Sequence, residues 1–343
     1  MKAFKVGLDV HKSTITGAII DVKGSLLEKV KFRNDLSYVD KFLEWLPINS
    51  TEIGMESSTY IYTLYDHLTE KGYKVRVAHA KKLRRITDSE NKNDDRDAES
   101  IARQLLVNDF PDSFILSKEQ RENRELVRMR VTLVQERTRY KNRIRMLMAR
   151  FQIKLKSKSP FTNEGIKELL QRELPPYAKR SLTILVKQLQ RVMAEIKNID
   201  KELTNLEEQF GEDIKLLRSI PYVGQFVSLA FLTELADYQR FKDVKELSAY
   251  IGYIPKMHSS GEKTYYGRMR FDGNKTIRYA FNRAAELAVR NDNIFRNYYQ
   301  RLYPRKKRRV AIAAVAHKMM RVCYGVLMSR KPFATSGSFR RGG

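Results

Sequence analysis

The chain has 343 residues, 66 Lys and Arg against 40 Asp and Glu, a net charge of +26 and a pI of about 10.0. That length accommodates more than one domain, and that excess favours a polyanionic partner, nucleic acid foremost, over a membrane. A single cysteine, Cys323, excludes an intrachain disulfide and a cysteine-based zinc site, five scattered histidines argue against zinc altogether, and the setting expected is reducing and cytoplasmic.

The first 110 residues read as α/β. Strand-like runs over residues 4–10, 14–21 and 26–32, with Gly24-Ser25 turning between the last two, predict a hairpin meander. "SYVDKFLEWL" (37–46) sets Val39, Phe42, Leu43 and Leu46 at helical spacing. "EIGME" (52–56) predicts a strand followed by a helix through Leu68, "KVRVAH" (74–79) another strand, and "DDRDAESIARQLL" (94–106) a helix with Ile101, Leu105 and Leu106 on its apolar side. The order β-β-β-α-β-α-β-α is that of an RNase H-like fold.

Pro111 ends this pattern. Residues 117–158 predict a long basic helix, with fourteen basic and four acidic residues between Lys118 and Lys158, and with Leu126, Leu133, Tyr140, Ile144 and Leu147 near heptad spacing. Beyond Pro175-Pro176, Leu182, Leu185, Leu189, Val192, Ile196, Ile199, Leu203, Leu206 and Phe210 alternate steps of three and four, a coiled-coil signal. A plain amphipathic helix, an antiparallel hairpin with 117–158 and pairing across subunits all satisfy that spacing.

Residues 211–330 read as mostly helical. "SIPYVGQFVSLAFLTEL" (219–235) resembles a helix-hairpin-helix element, in which Gly224 would let a backbone turn approach a phosphate. "GYIPKMHSSGEKTYYGRMRFDGNK" (252–275) reads as a polar loop. "VAIAAVAHKMMRVCYGVLM" (310–328) is broken by His317, Lys318 and Arg321 and reads as a buried helix rather than a membrane span. No acidic residue follows Asp292, whereas twelve Lys or Arg run from Arg301 to Arg341, and the final residues are expected to be disordered. The expected organisation is thus 1–110, 111–210, 211–332 and a basic tail, 333–343.

Four carboxylates stand on the predicted elements of the first domain. Asp9 lies in the first strand, Glu56 ends a later one, and Asp94 and Asp97 are three apart at the start of a helix, on one face. Each alone has a plain explanation: a strand-end Asp facing water, a helix cap, a dipole-favoured first-turn acid. Together, in this order on these elements, they converge in an RNase H-like sheet, and their mutual repulsion calls for a divalent cation. Oxygen-rich sites suit Mg²⁺ or Mn²⁺, which activate a nucleophile and stabilise a leaving oxygen in phosphodiester cleavage. Asp95 points about 100° away round the helix from Asp94, and it and Glu99 are not assigned to the site.

The motifs that carry these residues resemble those of the DEDD transposases of the insertion sequence one-ten family, the bridge-RNA-guided recombinases. "VGLDVHK" is similar to the first acidic motif, "GMESST" to the second (with Ser-Ser-Thr where the family has Ala-Thr-Gly), and "NKNDDRDAESIA" to the paired-Asp motif. "IPYVG", "RFKDVKELSAYIGYIP" and "SSGEK" follow in the order of the family's C-terminal domain, and the likeness spans nearly the whole chain. The resemblance implies a RuvC-like domain, a coiled-coil insertion and a C-terminal transposase domain with a nucleophilic serine, here Ser260. It implies donor and target DNA as substrates, an element-encoded noncoding guide RNA, and a homo-oligomer, dimer to tetramer, acting at the nucleoid. In such an assembly the RuvC-like and serine domains of different subunits meet at each cut. "RFDGNK" departs from the family, which carries a basic residue there.

Read from its residues alone, Ser260 is a serine before glycine in a turn, with Ser259 as a neighbouring rival. Lys256, Lys263, Arg268 and Arg270 around it suit a phosphate. Arg278 in the following helix and Arg137, Arg143 and Arg145 in the basic helix complete the expected nucleic-acid contacts. Tyr265 and Tyr266 lack the Arg-His-Arg framework of a tyrosine recombinase. A RuvC-type junction endonuclease using the carboxylates alone, an actin-like ATPase and a non-catalytic nucleic-acid-binding protein are the alternatives. "DVHKST" is not the Gly/Thr-rich phosphate loop that the ATPase needs.

Overall fold

A computed structural model describes residues 3–80, 82–83, 94–154, 159–260, 263–269, 273–291 and 294–334. The chain divides into two compact units, residues 1–118 and 119–343. The expected disordered tail beyond residue 334 and Arg270 lie outside the described residues.

The first unit is built on a five-stranded mixed sheet. Strands β1 (Phe4–Val10), β2 (Thr14–Asp21) and β3 (Leu26–Arg33) form an antiparallel meander. After helix α1 (Leu36–Leu43), β4 (Thr51–Glu56) returns parallel to β1; after α2 (Tyr62–Glu70), β5 (Lys74–Ala78) lies parallel to β4, giving the order β3-β2-β1-β4-β5. This is the topology that an RNase H-like fold requires. Helix α3 (Asp94–Leu106) ends the unit's regular elements.

Period-two alternation divides the sheet into two different faces. Phe4, Val6, Leu8 and Val10 of β1 pack with Val39, Phe42 and Leu43 of α1 and with Leu64 and Leu68 of α2. The intervening residues Lys5, Gly7 and Asp9 face α3. A Cβ on Gly7 would stand 1.9 Å from the carbonyl oxygen of Ala98, and one on Gly54 2.9 Å from Leu105. Only glycine at these two positions lets α3 lie this close to the sheet.

In the second unit, α4 (Lys118–Arg150) and α6 (Pro176–Glu208), 33 residues each, run antiparallel with α5 (Asn163–Gln171) between them in sequence. Asn123 donates to Gln209 and Arg130 to Asp200, while Ile144 and Met148 share a core with Leu182, Val186 and Leu189. Successive contacts therefore run in opposite directions along the two helices, as in a hairpin within one chain. The basic helix ends at Arg150, eight residues before the expected end, with Gln152 in the left-handed region at φ 55°. Val127, Val131, Ile144 and Met148 are its fully buried residues: Ile144 is an expected position, and Leu126, Leu133, Tyr140 and Leu147 are partly buried and pack beside them. In α6 Val186 is buried and Leu185 only half-buried, and Phe210 lies beyond the helix end.

The rest of this unit packs α7 (Gly211–Arg218), α8 (Gln225–Leu235), α9 (Val244–Ile251), α10 (Lys275–Ala288), α11 (Ile294–Leu302) and α12 (Arg308–Ser329) round one core. Helix α8 is buried from Val227 to Leu235 and central. Helix α12 is long and apolar enough to cross a membrane, but Ala311, Val315, Met319 and Cys323 lie in the core, as the sequence reading expects. The segment read as a polar loop forms instead an antiparallel hairpin, β6 (Pro255–Ser260) and β7 (Lys263–Met269). Its Thr264, Tyr265 and Tyr266 favour a strand, and Gly261-Glu262 falls between the strands.

His317 of α12 gives this unit a pH dependence. Its Nε2 lies 2.8 Å from Ser248 Oγ and its ring stacks on Tyr253. Burial, assisted by nearby Arg321, lowers its pKa from 6.5 to about 4. The unfolded chain therefore binds a proton below pH 6.5 that the folded chain refuses until about pH 4. Its contribution is complete above pH 6.5 and is lost progressively between pH 6.5 and about 4. We expect urea midpoints to fall across that window and His317→Gln to flatten the slope; an equal slope in the variant would contradict the assignment.

Candidate acidic site and basic surfaces

The geometry of the sheet brings Asp9 and Glu56 together. The last aligned pair of β1 and β4 is Leu8 with Met55, so Asp9 and Glu56 follow at adjacent positions on neighbouring parallel strands. By alternation both belong to the face under α3. Arg103 in the last turn of α3 donates to the carbonyl of Gly24, beyond the end of the sheet where β1 begins. Ala98, nearer the start of the helix, meets Gly7. Helix α3 thus runs opposite to β1, and its N-terminal residues lie toward the strand ends that carry Asp9 and Glu56. Asp94 opens the helix and Asp97, exposed, precedes Ala98; the Asp94 side chain lies outside the described residues.

Asp9 is 8% exposed, and its Oδ2 lies 2.9 Å from His11 Nε2. The sequence reading missed this partner, although a strand puts residues two apart on one face. Thr16 stands opposite Asp9 on β2, on that same face, and its buried Oγ1 has no hydrogen-bond partner. Carboxylates at adjacent strand positions and an unpaired hydroxyl are oxygen donors of the kind that a hydrated hard cation takes. Among the described residues, no three of His, Cys, Asp and Glu are grouped closely enough to hold a metal ion by themselves.

Other acids on this face have different partners. Burial acts to raise the Glu52 pKa, but Lys5 and Lys74 outweigh it and hold the carboxyl below its usual range. Glu99 pairs with Arg103 at 2.8 Å and Lys29 at 3.7 Å, and the Arg103 hydrogen bond lowers its pKa despite partial burial. Each of these carboxylates is held by Lys or Arg.

On α4, Arg143 and Arg145 are exposed and Arg137 is half-buried. The Arg145 guanidinium lies 5.0 Å from the Phe161 ring centre and that of Arg143 5.7 Å from Tyr140. Lys141 lies between Arg137 and Arg143 in sequence, and its pKa is lowered by burial and then by Arg137 and Arg145, a mark of concentrated positive charge.

In the hairpin, Ser260 pairs with Lys263 and Ser259 with Thr264, so Ser260 closes β6 and Lys263 opens β7. Lys256 and Arg268 also belong to the ribbon. Arg278 is half-buried on α10, whose N-terminus is capped by the Asn274 side chain. Gly224 precedes α8 with φ −83°, which any residue adopts, and a Cβ there would meet no atom within 4 Å. Glycine is therefore not needed for backbone conformation, and its lack of a side chain leaves space beside the turn.

The sequence reading also missed Glu234. It is fully buried in α8, and both its oxygens are taken: Arg128 donates to each, Arg124 Nε lies 3.3 Å away and Asn274 donates at 2.7 Å. It thereby ties the basic helix to the residue that follows the hairpin and caps α10.

Comparison with known proteins matches residues 6–153 to the DEDD transposase family of IS110 and residues 214–300 to the transposase IS116/IS110/IS902 family. The transposase for insertion sequence element IS1328 of Yersinia enterocolitica is 24% identical over 329 residues, 94% of this chain and 96% of that protein. The transposase for insertion sequence element IS1111A of Coxiella burnetii is 30% identical over 206 residues, 59% of this chain and 56% of that protein.

Proposed function

Because the chain belongs to the IS110 family of transposases, enzymes that act on DNA, we propose that it cuts and rejoins DNA with an acidic, divalent-metal-dependent site in its first unit and Ser260 in its second. The adjacency of Asp9 and Glu56 beneath the acidic start of α3 carries this reading. Asp9, Glu56, Asp94 and Asp97 would hold the metal, Mg²⁺ or Mn²⁺. When bound, such an ion supplies charge neutralisation and activation of an oxygen nucleophile in phosphodiester chemistry. His11 fixes the Asp9 carboxylate, and α3 carries Asp94 and Asp97 toward the same strand ends.

Ser260 is the nucleophile. Its Oγ forms a bond to phosphorus while the bond from phosphorus to the leaving sugar oxygen breaks; the hydroxyl proton is lost and the leaving oxygen gains one. Lys256, Lys263, Arg268 and Arg270 supply cations for the charge that develops on the phosphate. Arg137, Arg143, Arg145 and Arg278 hold the nucleic-acid backbone. The partners are donor and target DNA and a noncoding guide RNA, and the working form is a homo-oligomer, dimer to tetramer, in the cytoplasm at the nucleoid.

Labelled donor DNA incubated with the protein, its RNA and Mg²⁺, then run on a denaturing gel, tests the serine. We expect a covalent protein–DNA band whose peptide maps to Ser260 and which Ser260→Ala lacks while still binding both nucleic acids. An adduct at Ser259, Tyr265 or Tyr266 would overturn the assignment. Cleavage without any adduct would favour the RuvC-type alternative, hydrolysis by the carboxylates alone.

A further inference from the structure

A cleft of about 640 Å³ opens beside the turn between α7 and α8. Arg130, Arg218 and Arg283 line it together with Tyr222, Phe226 and Leu287. Four helices, α4, α7, α8 and α10, and the turn contribute these residues, all within the second unit. The open position at Gly224 lies on its wall.

Two features mark this cleft. Tyr222 sits at φ 66°, a left-handed conformation that is rare for a bulky residue, where glycine would be free of strain. Its ring is half-buried: it packs against the core on one side and lines the cleft on the other. The arginines, moreover, bring three cations to a lining that is otherwise mostly apolar and aromatic, with Ser219 and Gln225. Asp200 holds Arg130 at 2.5 Å, Glu207 holds Arg218 at 2.6 Å and Glu286 holds Arg283 at 2.7 Å. Such pairs contribute little when they reach solvent, so each guanidinium keeps its position and can exchange toward a stronger phosphate contact. Arg130 lies 4.4 Å from the Phe226 ring centre, which aligns it along the floor.

We infer that this cleft binds an unpaired nucleotide of a nucleic-acid strand, with the base stacked on Tyr222 and the phosphate held by Arg218 and Arg283. Cationic walls with an aromatic platform are what single strands require, because every base has a stacking face and every link a charge. The size of the cleft suits a nucleotide with its neighbouring phosphate, and the chain's net charge of +26 draws the strand in. The inference rests on the chain's acting on nucleic acid. The strand is either unpaired DNA or unpaired RNA, and the two share this chemistry.

Fluorescence anisotropy of the full chain with a single-stranded DNA and a single-stranded RNA oligonucleotide of one sequence, and with duplex DNA, tests it. Tyr222→Gly should weaken single-strand binding roughly 10-fold, from the loss of one stacked base. Its melting temperature should stay within a few degrees of the parent's, because relief of the left-handed backbone offsets part of the ring's packing on the core. Tyr222→Phe should bind like the parent, and Arg283→Ala should weaken binding while preserving the fold. Loss confined to one oligonucleotide assigns the strand as DNA or RNA. Unchanged single-strand binding in Tyr222→Gly and Arg283→Ala, with duplex binding intact, overturns the cleft alone. If the parent binds none of the three, the transposase reading fails with it.

Discussion

Asp9→Asn, Glu56→Gln and Asp97→Asn are each expected to reduce strand exchange by at least about a thousandfold, which is several kcal/mol of lost transition-state stabilisation. Each removes one charge from a set whose repulsion a cation must offset. The fold should survive. Asp97 is exposed and Glu56 half-buried, and the substitutions preserve shape. Asp9 is buried, but an amide can still meet His11 and retains an oxygen. We therefore expect melting temperatures within a few degrees of the parent and undiminished nucleic-acid binding. Glu99→Gln is the control: its carboxylate is engaged by Arg103 and Lys29, so exchange should stay near the parental rate. Near-normal exchange in any of the three, measured with Mg²⁺ present, would remove that residue from the site.

Glu234→Ala is expected to destabilise the second unit by about 3–5 kcal/mol, since removing one partner from a buried ion pair strands the charge of the other. Here the largely buried Arg124 would lose its carboxylate, while Arg128, half-exposed, would lose both its hydrogen bonds to Glu234. The Arg128 pKa is already raised, first by its hydrogen bond to Glu234 and against the effect of burial. Asn274 would lose its side-chain acceptor as well, so the effect should extend to the start of α10. Urea unfolding followed by helix signal measures it. Replacing Glu234, Arg124 and Arg128 together by Leu, Met and Met should recover most of the loss, because an apolar cluster of similar volume carries no stranded charge. A loss below about 1 kcal/mol for Glu234→Ala, the range of a solvent-exposed pair, would contradict the account.

The elements most legible in the sequence are those whose pattern is local. Short apolar runs over residues 4–10 and 14–21, bounded by turn residues, and the 3.6-residue spacing of 94–106 specify β1, β2 and α3, the strands covered on both faces and the helix on one. The order of those elements predicts the sheet, and the sheet brings Asp9 beside Glu56. Features set by distant partners were not legible. Glu234 lies in "FLTEL", which gives no sign that arginines 106 and 110 positions earlier fold onto it. The buried stripe of α4 follows Val127 and Val131 because its neighbours are α6 and the C-terminal core rather than a symmetric helix. The β6–β7 hairpin was hidden by its Gly and Ser, which signal a loop unless the strand-favouring tyrosines are weighed against them. At Gly224 the backbone, with φ −83°, makes no demand on glycine, so what the residue offers is the open space beside the turn.

The central claim is that the strand ends beneath α3 hold a divalent cation, and the most direct measurement is Mn²⁺ binding to the full chain by electron paramagnetic resonance, without DNA. The account predicts that Mn²⁺ binds the parent and Glu99→Gln alike, that Mg²⁺ competes for the site, and that Asp9→Asn and Glu56→Gln weaken binding at least about tenfold, one coordinating charge each. Equal Mn²⁺ affinity in the parent and in both carboxylate variants would contradict it.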